Sequence, residues 1–321
     1  MDTVQLYGPI GHDLPLIEQT LEEVGKVEFP WLAALIQHVM SKTGKRLRPA
    51  MTLLAGRLYD YNLELLVPMA ASVELLHTAT LVHDDTLDRA ARRRGILTVN
   101  HAWDDNVAVL FGDYLFAASG EMVSRTRNVR AMRLFAETVM VICSGEMSQH
   151  FSAYQHHLTR EQYFQRVARK TGALFALATE SGGFLGNAPE LIVQGLRTYG
   201  YKLGTAFQIA DDILDFSGDE QTLGKPVGND LVQGTLTLPV IMLLERYPKE
   251  KSLHAFLEEG HEPQHMARVI EIIRDSSIIS EAYQVAEGFC AEAVAALDPI
   301  ADSTARRALL ALTEYVLERK A

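Results

Sequence analysis

Residues 81–95 read LVHDDTLDRAARRRG, in which an apolar run leads into three aspartates and then into a block of arginines. The aspartates form a DDxxD pattern at Asp84, Asp85 and Asp88. Residues four positions apart share one face of a helix, so Asp84 and Asp88 are expected to point the same way. Clustered carboxylates repel one another and are costly to bury without a cation. The stretch therefore predicts an apolar core helix whose acidic end binds something positively charged.

The same pattern occurs a second time. Residues 202–216 read KLGTAFQIADDILDF and end in Asp211, Asp212 and Asp215, which echoes ELLHTATLVHDDTLD at 74–88. One DDxxD alone is as readily a solvated acidic helix end, because short motifs match by chance. Two copies, each at the C-terminal end of an apolar helix where the macrodipole disfavours anions, indicate bound cations.

The residue types at these ends favour one metal. Carboxylate ligands without a His or Cys cluster nearby suit a hard, oxygen-seeking ion, above all Mg²⁺. Mg²⁺ binds one or two protein carboxylates and completes its octahedron with water and substrate phosphates. Two DDxxD helices facing each other would therefore clamp a phosphorylated ligand through several metal ions.

Basic residues accompany the aspartates and predict phosphate binding. Arginine forks bind phosphate oxygens in pairs, and lysine acts as a compact point charge. An arginine run can also be an ordinary solvated face. The candidate cations are Lys45, Arg46, Arg48, Arg93, Arg94, Lys170 and Lys225. A pocket with metal ions on one side and basic side chains on another would suit two anionic substrates, one bound to metal and one bound by side chains alone.

Composition limits the alternatives. The chain has 321 residues, 48% of them hydrophobic, and a net charge of −11, which argues against general nucleic-acid binding. Cys143 and Cys290 form no metal-binding or disulfide pattern, so a reducing, cytoplasmic location is expected. We see no signal peptide and predict no transmembrane segment, because no uncharged apolar stretch is long enough.

Helical periodicity dominates, and no segment alternates convincingly with period two. The predicted helices cover 13–25, 30–42, 47–59, 65–88, 104–124, 129–155, 160–186, 190–216, 236–246, 262–274, 277–295 and 302–319. Pro30, Pro49, Pro68 and Pro189 are placed near helix starts, where a missing N–H costs little. Because no linker divides the chain, we predict a single all-α domain over 1–321.

In these motifs and their order, the chain resembles the trans-type (E)-isoprenyl diphosphate synthases, the polyprenyl synthetase family. The matching stretches are GKRLRP (44–49), ELLHTATLVHDDTLD (74–88), RRG (93–95), GDYLFA (112–117), GEMSQ (145–149), KTGALF (170–175) and GTAFQIADDILDFSGDEQTLGKPVGNDL (204–231). The resemblance implies one large helical bundle of the isoprenoid synthase type around a deep central cavity. It also implies a homodimer that pairs through the helices near 104–155.

The resemblance further implies a role for each site residue in joining an allylic diphosphate to isopentenyl diphosphate. Asp84, Asp88 and Asp211 would ligate Mg²⁺, three ions in all, that bridge the allylic diphosphate. Asp85, Asp212 and Asp215 would bind Mg²⁺ through water or hold the metal-binding residues in position, with Asp215 counted in the metal site. The implied allylic-substrate residues are Arg93, Lys170, Thr171, Gln208 and Lys225. The implied isopentenyl diphosphate residues are Lys45, Arg48, His77 and Arg94, although a lone histidine is more often an ordinary core residue.

One departure from the family pattern bears on substrate affinity. Thr235 stands where a lysine is usual, which removes a cation from the allylic site.

Three other functions compete with prenyl transfer. A class I terpene cyclase also uses an aspartate-rich helix but generally lacks the second cation set. A non-catalytic subunit of a heteromeric synthase tends to lose its DDxxD motifs, whereas both are intact here. A four-helix di-metal carboxylate protein needs Glu-x-x-His pairs on its core helices, and we find none.

The residues before the first motif predict the product length. Ala79 and Thr80 lie about one turn before Asp84, where the family's short-chain members carry bulky aromatic residues. Candidate walls of a deeper tunnel are Leu75, Leu76, Met140, Cys143 and Met147, each of which could equally be an ordinary core residue. We therefore predict a long-chain product, octaprenyl diphosphate or a neighbour from heptaprenyl to nonaprenyl, as used for quinone side chains. The alternative is a short-chain farnesyl or geranylgeranyl diphosphate synthase.

Overall fold

The structure is a computed structural model that describes residues 7–41, 44–152, 158–218, 227–258 and 263–318. Helices make up 78% of it, which confirms the all-α prediction. The helices are α1 Leu14–Val24, α2 Pro30–Met40, α3 Leu47–Gly56, α4 Leu63–Leu87, α5 Val99–Ala102, α6 Asp105–Arg125, α7 Val129–Ser152, α8 Arg160–Val167, α9 Ala173–Leu185, α10 Glu190–Ser217, α11 Asn229–Val232, α12 Leu238–Arg246, α13 Lys251–Glu258, α14 Pro263–Asp275, α15 Ile278–Ala296 and α16 Thr304–Glu318. A π-helical turn, Ala168–Gly172, joins α8 to α9.

The predicted helices agree closely with the observed ones, and the differences have local causes. The short helices α5, α11 and α13 were not predicted, since one or two turns carry little periodic signal. Predicted ends at 155, 262 and 319 lie outside the described residues. Pro68 was placed near a helix start, but it is the sixth residue of α4 and lies inside the helix.

A short β-hairpin was also missed. Strands β1 (Arg92–Arg93) and β2 (Ile96–Leu97) pair antiparallel, with Arg92 opposite Leu97 and Arg93 opposite Ile96. A strand of two residues is too short to show the alternation by which strands are recognised. The hairpin matters because it carries arginines of the predicted site.

The chain packs as two compact units, each built from separate stretches of the sequence. Unit 1 consists of Met1–Val139, Leu174–Gly200 and Ala296–Leu312. Unit 2 consists of Met140–Ala173, Tyr201–Ala295 and Thr313–Ala321. The single domain over 1–321 stays a prediction.

Helix α4 is the core helix of unit 1. It begins at an Asn62 cap, whose side chain accepts a hydrogen bond from the Glu64 N–H. Its middle is buried on all sides, which explains why its apolar residues form no single stripe. Inside the core, the Ser72 hydroxyl donates to the Ser119 carbonyl of α6 over 2.8 Å. The packing of α4 against α6 fixes the helix that ends in the first DDxxD.

The core of unit 2 surrounds the helix that ends in the second DDxxD. Tyr163, Phe216 and Phe256 are fully buried in one apolar cluster. Helix α8 enters this core through a capping box between Thr159 and Gln162. The end of α10, like that of α4, is therefore held by buried apolar neighbours.

Within the described residues, two helices are long and apolar enough to cross a membrane by length and composition alone. They are Leu63–Leu87 and Asp105–Arg125. In the first helix, 72% of the most apolar 18-residue stretch is buried in the protein, as in the core helix of a soluble protein. In the second helix, 39% of the corresponding stretch is buried. The absence of a transmembrane segment stays a prediction.

Candidate active site

The first DDxxD lies at the end of α4, as predicted, and its aspartates have different environments. Asp85 is buried, and both of its carboxylate oxygens accept from Arg93 Nε, over 2.8 and 2.9 Å. Burial raises the pKa of Asp85, and the Arg93 hydrogen bonds oppose that rise. Asp84 is half-buried and Asp88 is exposed, one turn apart on the helix. Asp85 therefore supports Arg93, and the carboxylates of Asp84 and Asp88 share the accessible face.

The hairpin turn separates the two predicted diphosphate-binding arginines. Arg94 and Gly95 form the turn, with φ values of 50° and 82°. Two central residues with positive φ define a type I′ turn, which suits glycine but costs an arginine roughly 1–2 kcal/mol. His38 Nε2 holds the hairpin to α2 by donating to the Leu97 carbonyl over 2.8 Å. The hairpin thus places neighbouring arginines differently. Arg93 donates hydrogen bonds to Asp85, whereas Arg94 lies in the turn.

Four arginines of unit 1 act electrostatically on His77, and we call them the basic cluster. Its members are Arg46, Arg48, Arg93 and Arg94. Burial, and then the charges of these arginines, lower the pKa of His77 well below its ordinary value, so this side chain is neutral at pH 7. The Arg48 guanidinium lies 4.8 Å from the centre of the Phe175 ring. Arg46, His77, Asp85, Arg93 and Arg94 line one pocket. The structure thus brings His77, Arg48 and Arg94 together, as predicted for isopentenyl diphosphate, and leaves the Lys45 side chain exposed.

A chain of hydrogen bonds in unit 2 joins the predicted allylic-site residues. The Thr171 hydroxyl donates to Gln208 Oε1 over 2.7 Å, and Gln208 Nε2 donates to Asp212 Oδ1 over 2.9 Å. On the other side, the Tyr163 hydroxyl donates to Asp212 Oδ2 over 2.7 Å. The middle aspartate of the second motif is therefore a buried support, as Asp85 is in the first.

The three aspartates of the second motif differ in burial and in their contacts. Burial raises the pKa of Asp212 to about 7, helped by the charge of Asp230. Asp215 is 1% exposed, and its Oδ2 accepts from the Asp230 N–H over 3.2 Å. These contacts favour the supporting role that the sequence left open for Asp215. Asp211 is half-buried, so its carboxylate is the most accessible one of this motif.

Lys170 lies on the π-helical turn and forms an ion pair with Glu146, a carboxylate that is not among the predicted site residues. Lys170 Nζ is 2.8 Å from Glu146 Oε1 and 3.0 Å from Oε2. π-Helical turns occur often at functional sites, where they change the direction of a side chain. Glu146 belongs to GEMSQ (145–149), one of the stretches that resemble the family, and this match was the sequence evidence that could have identified it.

The predicted residues not yet placed are Lys225 and those assigned to the product tunnel. Lys225 lies outside the described residues. Ala79 is fully buried in α4, and Thr80 is half-buried, with its hydroxyl donating to the His77 carbonyl over 2.8 Å. Of the candidate tunnel walls, Leu75 and Leu76 are buried, whereas Met140 is 62% and Met147 56% exposed and Cys143 is exposed as well. The last three are therefore not buried wall residues of the single chain, because α7 presents them to its surface.

The accessible carboxylates fit Mg²⁺. In the part of the chain that the structure describes, no group of three or more His, Cys, Asp or Glu side chains could hold a metal ion. The pair Asp84 and Asp88 instead offers two carboxylates on one helix face. Mg²⁺ commonly takes one or two protein carboxylates and obtains its other ligands from water and phosphate.

Comparison with known proteins gives consistent results. A family model described as Polyprenyl synthetase matches residues 29–275. The chain is 37% identical over 314 residues to heptaprenyl diphosphate synthase component 2 of Geobacillus stearothermophilus, which covers 98% of each protein.

Two solved structures share the fold. A decaprenyl diphosphate synthase from Rhodobacter capsulatus has 36% identity and a TM-score of 0.93, with 99% of each chain covered. A polyprenyl synthase from Caulobacter crescentus, complexed with calcium and isoprenyl diphosphate, has 31% identity and a TM-score of 0.94. The match covers 100% of this chain and 98% of that one. These structures confirm the isoprenoid synthase type of all-α fold.

Proposed function

The chain belongs to the polyprenyl synthetase family, and we propose that it is a trans-polyprenyl diphosphate synthase. It would extend an allylic diphosphate, such as farnesyl diphosphate, with isopentenyl diphosphate. The observation that carries this proposal is the basic cluster at His77, in which Arg48 and Arg94 supply cations beyond Arg93, the arginine bound to Asp85. A class I terpene cyclase ionises a single substrate and needs no second set of cations.

The reaction needs charge stabilisation more than a protein nucleophile. Asp84 and Asp88 in unit 1 and Asp211 in unit 2 are the carboxylates that would hold Mg²⁺. When bound there, Mg²⁺ supplies Lewis-acid stabilisation of the charge on the leaving diphosphate. Arg93 would stabilise charge on the diphosphate through direct hydrogen bonds. Lys170 keeps the allylic-substrate role that the resemblance implies.

The bond changes follow from these charges. The allylic C–O bond breaks, and the leaving diphosphate takes the electron pair. The double-bond electrons of isopentenyl diphosphate form the new C–C bond to the allylic carbon, which leaves a positive charge on the other carbon of that double bond. The CH₂ carbon next to it loses a proton to the released diphosphate, and the electron pair of that C–H bond forms the new double bond. Apolar side chains exclude water, which would otherwise capture the allylic cation.

We assign a long-chain product, octaprenyl diphosphate or a neighbour from heptaprenyl to nonaprenyl. The small residues Ala79 and Thr80 support this assignment. The relatives described above are named for heptaprenyl and decaprenyl products, one shorter and one longer than octaprenyl. A short-chain farnesyl or geranylgeranyl diphosphate synthase is the alternative.

The proposed assembly is a homodimer that pairs through α6 and α7. These helices expose a set of large apolar side chains, namely Val109, Leu110, Val129, Met132, Met140, Val141, Met147 and Phe151. The relative from Geobacillus stearothermophilus is named as component 2, so a heteromeric synthase is the alternative. Sedimentation velocity should give twice the chain mass of 35.7 kDa, and a 35.7 kDa species would contradict the homodimer.

The activity test uses the purified chain, Mg²⁺, farnesyl diphosphate and radiolabelled isopentenyl diphosphate, with the products resolved by length. Incorporation of label into a long polyprenyl chain is expected. A cyclic product that forms from farnesyl diphosphate alone would indicate a cyclase. A chain that is inactive alone but active with a second protein would indicate a heteromeric subunit.

Arg93 and Arg94 should affect different substrates. Because Arg93 lies on Asp85 of the metal-binding motif, Arg93→Ala is expected to lower kcat or raise the KM of the allylic diphosphate. Arg94→Ala is expected to raise the KM of isopentenyl diphosphate by about tenfold, as for the loss of a charged hydrogen bond. Steady-state kinetics with each substrate varied in turn measures both effects. Arg92→Ala, a change at an exposed residue of the same hairpin, is the control, and identical profiles for Arg93→Ala and Arg94→Ala would contradict this division.

A further inference from the structure

We propose that Arg46 binds no substrate and, with Glu74 and Glu18, positions the isopentenyl diphosphate site. Arg46 is the one basic residue of GKRLRP (44–49) to which the proposed function gives no task. The inference rests on that function, because it concerns the order of the residues assigned to isopentenyl diphosphate. We name the three residues the Arg46 clamp.

The backbone at Arg46 is in an unusual conformation. Arg46 immediately precedes α3 and has φ 50° and ψ 36°, in the left-handed region that L-residues other than glycine seldom adopt. The conformation lets the chain turn sharply between Lys45 and Arg48, two residues assigned to the diphosphate. Interactions elsewhere must hold such a residue in place.

The side chain of Arg46 supplies those interactions. Arg46 Nη1 donates to Glu74 Oε1 over 2.6 Å. Arg46 Nε and Nη2 donate to the two carboxylate oxygens of Glu18 over 2.7 and 2.9 Å. Two-pronged bonds between arginine and carboxylate are the strongest and most directional ion pairs in proteins. The clamp therefore joins α1, the segment before α3, and the core helix α4.

Burial distinguishes the Arg46 clamp from a surface ion pair. The side chain of Arg46 is 11% exposed, that of Glu74 7% and that of Glu18 38%. A buried carboxylate that loses its partner leaves an uncompensated charge, which costs far more than breaking an exposed pair. Nε, Nη1 and Nη2 of Arg46 all donate to these two carboxylates, whereas Arg93 contacts Asp85 through Nε and Nη2. The proposal therefore assigns Arg46 to the protein and not to phosphate.

The segment that the Arg46 clamp holds is in direct contact with the diphosphate residues. The guanidinium of Arg94 lies against Gly44, where an added Cβ would be 2.9 Å from Nη2. The Tyr7 hydroxyl donates to the Lys45 carbonyl over 2.6 Å. A shift of the backbone at residue 46 would therefore move Lys45 and disturb the place of Arg94. The charge of Glu74 also acts on Arg94, so one carboxylate influences both sides of the site.

The test compares the two substrates in Glu74→Gln, which keeps the shape of the side chain but removes its charge. The KM of isopentenyl diphosphate is expected to rise by about tenfold or more, because small displacements of binding groups have large effects. The KM of the allylic diphosphate and kcat should each stay within about twofold. Calorimetric titration with isopentenyl diphosphate alone should show the same loss of affinity without turnover.

Two further variants keep the test decisive if Glu74→Gln folds poorly. Arg46→Lys keeps the charge but loses the fork, so it should give the same selective rise in KM. Glu18→Gln changes the more exposed carboxylate and should give a smaller one. Glu245→Gln is the matched control, because Arg160 binds Glu245 through the same kind of fork with both side chains exposed, 40% and 45%.

Three results would overturn the inference. A variant with the wild-type KM for isopentenyl diphosphate would show that the Arg46 clamp positions nothing. Equal rises in both KM values, with a lower Tm, would show a general loss of structure. A wild-type protein that makes no prenyl product would overturn the proposed function first, and the inference with it.

Discussion

Replacing Asp84 and Asp88 together by alanine is expected to abolish prenyl transfer, lowering kcat by about a thousandfold or more. The two carboxylates lie one turn apart on the accessible face at the end of α4, whereas Asp85 between them is bound to Arg93. The double variant removes the paired oxygens that would hold Mg²⁺ but leaves the buried contact intact. Single-turnover kinetics at saturating Mg²⁺ measures the effect on the chemical step.

The same substitutions should leave the fold unchanged. Asp84 and Asp88 are half-buried and exposed, and their removal relieves repulsion at a helix C-terminus. Circular dichroism and the Tm should therefore match the wild type. Asp298→Ala with Asp302→Ala removes two exposed carboxylates from unit 1 and controls for net charge. The metal assignment is wrong if the double variant retains more than about a tenth of the wild-type turnover.

The parts of the site that follow from helical periodicity were predictable from the sequence. An apolar run that leads into DDxxD places the motif at a helix end, and both motifs lie there in the structure. The shared face of Asp84 and Asp88 depends only on the geometry of a helix. The close succession of Asp85 and Arg93 in the chain likewise agrees with their direct contact.

The supporting contacts were not predictable, because they join residues that are distant in the sequence. Arg46 reaches Glu18 and Glu74 across 28 positions on either side, and nothing local pairs them. Tyr163 and Asp212 are 49 positions apart. The π-helical turn at Lys170 also left no signal, since its residues suit an ordinary helix. The sequence thus predicts which groups would meet the substrate, and the tertiary structure shows which groups hold those side chains in position.

Substitution of Ala79 by phenylalanine is expected to shorten the product from the octaprenyl range to the farnesyl or geranylgeranyl stage. Ala79 is fully buried about one turn before Asp84, so an aromatic ring there must occupy space that a methyl group leaves open. The growing prenyl chain would need that space as it extends away from the aspartates. Reversed-phase chromatography of the dephosphorylated products, at excess isopentenyl diphosphate, measures the chain length.

The ring could instead overfill the core, which typically costs about 1–3 kcal/mol, and stability separates the two effects. Overpacking alone lowers the Tm and the amount of product without changing its length, whereas a blocked passage shifts the length itself. Ala291→Phe, at an exposed position of α15, adds the same ring away from any buried space and should keep the wild-type product. If Ala79→Phe makes the wild-type length, the passage does not run beside Ala79. If the wild type itself stops at the geranylgeranyl stage, the long-chain assignment is wrong, and the small residues at 79 and 80 serve only the packing of α4.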